Sequence, residues 1–190
     1  MKRVYLLMVC LLTALLVQAQ VDSKYGKGAV PMLNGRVTFT QSVELPANIS
    51  ADVAYDKVVA WASERFTAPN VIKGKTIANE REAHRLVVNP EEYITFKRRF
   101  FVLDRTRINY LLEASVANQK LTLTMTRIGY WYEEERDGGQ HFTAEQWITD
   151  EESFNAAGTK FLRSTGKFRI GTINLFDSLV KEASESVKQQ

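Results

Sequence analysis

Arg107-Ile108-Asn109-Tyr110-Leu111-Leu112-Glu113-Ala114-Ser115-Val116 alternates with a period of two: Ile108, Tyr110, Leu112, Ala114 and Val116 share one face, and Arg107, Asn109, Glu113 and Ser115 the other. Successive side chains of an extended chain point to opposite sides, so this stretch is a strand with one dry face and one wet face. Such strands belong to antiparallel sheets covered on a single side. The next apolar segment, residues 121–132, changes phase part-way. Leu121, Leu123 and Met125 are odd, whereas Ile128, Tyr130 and Tyr132 are even. A one-residue slip inverts every side chain, so the phase change predicts a β-bulge near Thr126-Arg127.

Working outward, residues 71–80, 84–88, 93–103 and 106–116 read as further strands, with Asn89-Pro90 and Asn118-Gln119 as turns between them. Residues 36–45 alternate too, with Val37, Phe39, Val43 and Leu45 inward. Ser50 is a helix N-cap, because its hydroxyl accepts from first-turn amides. That reading also accounts for Asn48-Ile49-Ser50, which formally matches a glycosylation acceptor. Tyr55, Val58, Val59, Ala62 and Phe66 then recur at helical spacing, which predicts a helix over 50–67. Past a polar link at 133–140, Thr143 with Gln146 and Thr149 with Glu152 fit capping boxes, the second opening a longer helix. Phe161, Thr165, Phe168, Thr172, Leu175, Phe176, Leu179 and Ala183 form the stripe of a long C-terminal helix. Gly166 marks a kink in it, and a polar tail from Glu182 frays.

The chain has 190 residues. Lys2 and Arg3, an apolar run from Val4 to Val17 and Val17-Gln18-Ala19 predict a cleavable signal peptide over residues 1–19. The apolar run is shorter than the roughly 20 residues that span a bilayer. Cys10, the single cysteine, leaves with that segment and follows Val9, which is too large for lipoprotein processing. Loss of Lys2 and Arg3 lowers the net charge from +3 to +1. Near-neutrality argues against nucleic acid as a partner, since phosphate binding needs a surplus of cations. Residues 20–34 are aperiodic and read as a flexible leader, and residues 35–187 as one α+β domain. The order β-α-β-β-β-β-α predicts a curved antiparallel sheet with helices packed on one face.

Several of these segments also resemble a known family. Asp104-Arg105-Thr106-Arg107-Ile108-Asn109-Tyr110-Leu111, Tyr130 to Glu135, and Thr143-Ala144-Glu145-Gln146-Trp147-Ile148-Thr149-Asp150 are similar to the secreted bacterial domain-of-unknown-function family 4468. Gly28 to Phe39 resembles that family's usual start, and the likeness runs from about Gly35 to Leu179. The resemblance implies a TBP-like fold and export, and it brings no catalytic residues. A fold shared with TATA-binding protein carries no DNA binding with it, because function resides in the site.

Candidate chemistry is sparse. Glu133, Glu134, Glu135, Asp137 and His141 are the right types for a metal or for acid–base work, but consecutive acids on an extended chain diverge, and a solvated loop fits better. His84 and His141 lack nucleophile partners in any triad pattern. Ser164-Thr165-Gly166-Lys167 lacks the glycine-rich loop that phosphate binding requires. Basic residues gather at Lys97-Arg98-Arg99 and, at helical spacing, at Lys160, Arg163 and Lys167 with Arg169 nearby. These fit a solvated face or, functionally, an anion or lipid-headgroup contact. Tyr130, Trp131 and Tyr132 are the densest aromatic group. Core packing against Trp147 competes there with an outward-facing Trp131 that meets a partner.

The expectation is an exported, non-enzymatic binding or interaction domain without cofactor or metal, located in the periplasm, at the outer-membrane surface or outside the cell. Its contact surface is Tyr130, Trp131, Tyr132, Lys160, Arg163 and Lys167, and its partner is a protein or envelope component. The mature chain has no transmembrane span. The alternative is a carrier of a small apolar ligand between the sheet and the C-terminal helix. Third comes a metal-assisted hydrolase using Glu133 to His141.

Overall fold

The structure, a computed structural model, describes residues 22–100 and 102–188. The segment expected to be a signal peptide lies outside these residues. Among them, β1 (Met32–Leu33), β2 (Arg36–Glu44), β3 (Val71–Glu80), β4 (Arg85–Arg99), β5 (Val102–Ala117), β6 (Lys120–Tyr132) and β7 (Gln140–Thr143) form one antiparallel sheet. Its order is β1-β2-β6-β5-β4-β3, with β7 beside the far half of β6. Helices α1 (Ala51–Arg65) and α4 (Gly166–Lys188) pack on one face, and α2 (Ala144–Trp147) and α3 (Asp150–Ser153) are single turns.

The inward residues of the alternating strand, Ile108, Tyr110, Leu112, Ala114 and Val116, are all buried. Side chains fill the space beneath α4: Phe39 lies 5.5 Å from Phe176, and Tyr130 meets Phe168 edge-on at 5.2 Å. The opposite face is open and polar. Hydroxyl pairs Thr38–Thr126, Thr40–Thr124 and Ser42–Thr122, at 3.4, 3.3 and 2.8 Å, run across β2 and β6.

Local expectations hold where local chemistry decides. Ser50 Oγ accepts from the Val53 amide at 3.3 Å. Thr143 and Gln146 make the reciprocal capping box. Asn118 and Gln119, at φ 50° and 60°, close the two-residue turn between β5 and β6 in the left-handed pair that such hairpins favour. The bulge is in β6: Asn109 pairs with Gly129 and Leu111 with Thr126, and Arg127 takes φ 52°.

Other expectations are corrected. Asn89-Pro90 is no turn, because β4 runs straight through it to a hairpin beyond Arg99. The register sets Pro90 opposite Tyr110, whose carbonyl a proline cannot serve, and Asn89 Nδ2 donates to that carbonyl at 2.6 Å instead. Thr149 makes no side-chain cap, α3 stops after one turn, and Gly158 takes φ 68° in a loop that a helix cannot pass through. Phe161 and Thr165 therefore precede α4, and Gly166 starts that helix where a kink was expected. The tail stays helical to Lys188, with Ala183, Ser184 and Val187 buried.

The leader expected over 20–34 is also corrected for its described part. Arg169, fully buried, donates from Nε to the Tyr25 carbonyl at 2.8 Å, from Nη1 to the Ile148 carbonyl at 2.9 Å, and from Nη2 to the Gly26 carbonyl. Asp150 completes this arrangement, pairing with Arg169 at 2.8 Å and accepting from the Gly28 amide at 2.8 Å. Burial pulls the Arg169 guanidinium below its ordinary value, against Asp150. Tyr25 and Lys24 bond Asn174, so residues 22–28 are clamped to α4.

Gly171 explains a glycine inside α4. A Cβ there would lie 2.7 Å from Ile94 Cγ2, so its absence lets the helix settle onto β4. Gly171→Ala is expected to lower stability by about 1 kcal/mol despite alanine's better helix propensity, because overpacking outweighs the roughly 1 kcal/mol gain. Thermal melting of the variant checks this.

Candidate functional site

β4 and β5 outrun the rest of the sheet. β6 first meets β5 at the Thr106–Tyr132 pair, while Asp104, Leu103 and Val102 pair only with Lys97, Arg98 and Arg99. Polar, charged and aromatic side chains gather on both faces at this end.

On the helix side, Lys167 in the first turn of α4 reaches back to β5. Its Nζ donates to both Asp104 carboxylate oxygens at 2.9 and 2.8 Å and to Tyr132 Oη at 2.8 Å, and the Tyr132 hydroxyl donates to Asp104 at 3.0 Å. Burial opposes charge on Lys167, but the bonds to Asp104 and Tyr132 outweigh it and hold its pKa above the ordinary lysine value. The ammonium also sits 4.4 Å from the Tyr132 ring and 4.9 Å from that of Phe96. Phe96, Tyr132 and Trp147 all pack on Phe168 and floor a cleft of about 890 Å³, rimmed by Lys97, Arg163 and Leu162.

On the open face, Trp131 stacks on His141 at 5.1 Å and donates its Nε1 proton to the Gly138 carbonyl at 2.9 Å. The Arg107 guanidinium lies 4.6 Å from the Trp131 ring, and that of Arg105 lies 3.8 Å from the Tyr93 ring. Glu134 ties this group together, accepting from the Tyr93 hydroxyl at 2.8 Å and pairing with Arg107. Tyr93, Arg105, Arg107, Trp131 and Glu134 line a second cleft of about 420 Å³ that shares Asp104, Tyr132 and Glu133 with the first.

The six expected contact residues are therefore divided. Tyr130 is core, its hydroxyl 2.6 Å from Thr172 Oγ1. Trp131 faces outward, and Trp147 packs on Phe142 and Phe168 beyond the other side of the sheet, so packing of Trp131 against Trp147 is ruled out. Tyr132 and Lys167 are brought together, with Arg163 on the cleft rim. Lys160 lies away from them, in the loop that Asn155 organises by accepting from the Thr159 and Lys160 amides. Lys160 and Arg163 thus share no helix with Lys167. The acidic stretch does not converge: Glu133 pairs with Arg136, Glu134 with Arg107, and His141 lies under Trp131. Among the described residues no three His, Cys, Asp or Glu side chains gather as a metal site requires.

Asp104 was not singled out from sequence, nor was Glu92. Glu92 is 2% exposed and accepts from the Tyr110 hydroxyl at 2.6 Å and from Arg65 Nη2 at 2.7 Å. Arg65 Nε also donates to Glu182 at 3.1 Å. The signal was present, since Glu92 falls in the inward phase with Leu86, Val88 and Ile94. Burial, reinforced by Glu92, pushes the Tyr110 phenol well above its usual value, and burial does the same at Tyr130. A folded-state pKa above the unfolded one adds stability below the unfolded value of about 10, and that stability is lost as pH climbs past it. Titration followed by phenolate absorbance is expected to show these two rings ionising only as the protein unfolds.

A curved antiparallel sheet with helices on one face and an open far side defines a TBP-like α+β domain. Residues 39–131 match the family described as "Domain of unknown function (DUF4468) with TBP-like fold". The chain is similar to the crystal structure of a DUF4468 family protein from Bacteroides ovatus, with 26% identity and a TM-score of 0.79 over 89% of this chain and 96% of that one. A TBP-like protein from Parabacteroides distasonis shares the fold at 19% identity and a TM-score of 0.69, over 84% of this chain and 97% of that one. No curated protein matches the chain significantly.

Proposed function

We propose that this protein is an exported, non-enzymatic binding domain of the periplasm or cell surface, which contacts a protein or an envelope component through the open-face cleft around Trp131. The observation that carries the reading is the pair of arginines laid on rings, Arg105 on Tyr93 and Arg107 on Trp131. Trp, Tyr and Arg dominate binding hot spots because they bring large contact area with few rotatable bonds. Here Glu134 and the stacked His141 fix those side chains in advance, which lowers the entropic cost of association. No described helix is long and apolar enough to cross a membrane.

The test is retention of envelope components on immobilised protein, compared with Trp131→Ala and Tyr93→Ala. Selective retention that both substitutions abolish, with melting temperatures little changed, is expected. Equal retention by wild type and variants rejects the assignment of this face.

The helix-side cleft favours a second reading as a small-ligand carrier. Its aromatic floor suits a flat apolar body, but Lys97, Lys167 and Arg163 around it suit an anionic group on that ligand rather than a wholly apolar one. Mass spectrometry of an organic extract of the purified protein decides between an occupied and an unoccupied cleft.

A further inference from the structure

We infer that the projecting β4–β5 hairpin is a peripheral anchor for an anionic lipid surface, a contact that adjoins the Trp131 cleft at Leu103 and Arg105 but does not include Trp131 itself. Beyond the Thr106–Tyr132 pair the two strands have only each other, so this end stands clear of the sheet. Lys97, Arg98 and Arg99 are consecutive and exposed there, and Phe100 is 86% exposed immediately after them. Leu103 on β5 and Leu162 on the neighbouring loop are 48% and 40% exposed. Arg163 and Lys97 share the helix-side cleft, and Arg105 lies on the Tyr93 ring.

None of these five cations forms an ion pair with a carboxylate among the described residues. The acids that line the two clefts are engaged elsewhere: Asp104 with Lys167, Glu133 with Arg136 and Glu134 with Arg107, which leaves Glu135. The nearly balanced total charge of the chain is thus locally unbalanced at one protruding end.

Clustered cations around a solvent-exposed aromatic match a lipid leaflet in both respects. Anionic headgroups attract the cations, and the ring enters the boundary between headgroups and acyl chains. A soluble polyanion would use the cations and leave Phe100 idle.

The test is co-sedimentation of the purified protein with vesicles of phosphatidylcholine containing about one-third phosphatidylglycerol, against pure phosphatidylcholine. Preferential binding to the anionic vesicles is expected, weakened by salt. Arg98→Gln/Arg99→Gln is expected to weaken it about 25-fold, at about fivefold per cation. Phe100→Ser is expected to weaken it about tenfold. Both changes are on exposed residues, so melting temperatures should stay unchanged and confirm folded protein. Absence of sedimentation, equal sedimentation with neutral vesicles, or anionic binding indifferent to either variant overturns the inference. So does binding that heparin displaces fully while Phe100→Ser leaves the affinity unaltered, which marks a simple polyanion surface. The Trp131→Ala protein should sediment normally, so failure of this anchor and failure of the Trp131 contact are told apart.

Discussion

Arg169→Met is expected to destabilise the protein by about 3 kcal/mol and to lower its melting temperature by roughly 10 °C. The guanidinium has no exposed surface, and three backbone carbonyls and Asp150 depend on it. Methionine fills much of the volume but donates nothing, so the carbonyls of Tyr25, Gly26 and Ile148 lose a charged donor together, while Asp150 keeps only the Gly28 amide. The loss should also be local. Residues 22–28 are held to α4 largely through this group, so trypsin should cut at Lys24 and Lys27 in the variant well before the sheet unfolds. Proteolysis as slow as in the wild type would show that the bonds of Lys24 and Tyr25 to Asn174 suffice to hold the segment.

The second large effect concerns Glu92. Glu92→Ala leaves the Arg65 guanidinium with the half-exposed Glu182 as its remaining carboxylate partner and the Tyr110 hydroxyl without its acceptor, for an expected loss of about 3 kcal/mol. Glu92→Gln keeps an acceptor for Tyr110 and should lose less. Replacing both charges, as in Arg65→Met/Glu92→Leu, should recover most of the stability, because a buried pair can be exchanged for apolar side chains of similar size at little net cost. Denaturant midpoints of the three variants measure the sequence of losses. A double variant as unstable as Glu92→Ala would show that the pair is worth more than the apolar contacts that replace it.

How far the sequence was legible follows from the range of the forces involved. The alternation of Ile108 to Val116, the Ser50 cap and the turn at Asn118-Gln119 depend on residues a few positions apart, and all appear as expected. The continuity of β4 through Asn89-Pro90 is not legible locally, because the bond that permits it, Asn89 to the Tyr110 carbonyl, joins residues distant in sequence. The helix expected after Thr149 failed for the same reason: Asn155 and the Phe154–Phe161 bridge close a loop that periodicity cannot register. The site was half visible. Trp131, Lys167 and, as part of an acidic stretch, Glu134 stand out by residue type, whereas Asp104 and Tyr93 are defined by partners contributed from the long C-terminal helix and from the link after β6. Order in residues 22–28 leaves no local signal, because the residue that fixes them, Arg169, lies more than a hundred positions away.

The extra residue at Arg127 in β6 has a consequence for how this domain can diversify. Before it, odd-numbered side chains enter the core; after it, even-numbered ones do, which sends Tyr130 inward and Trp131 out. Removing that one residue would transpose the rings, driving an indole toward Phe168 and a phenol into the solvent. The outward side chains beyond the insertion can be exchanged without disturbing the interior, so the tract after Arg127 can change its surface while the scaffold stays the same.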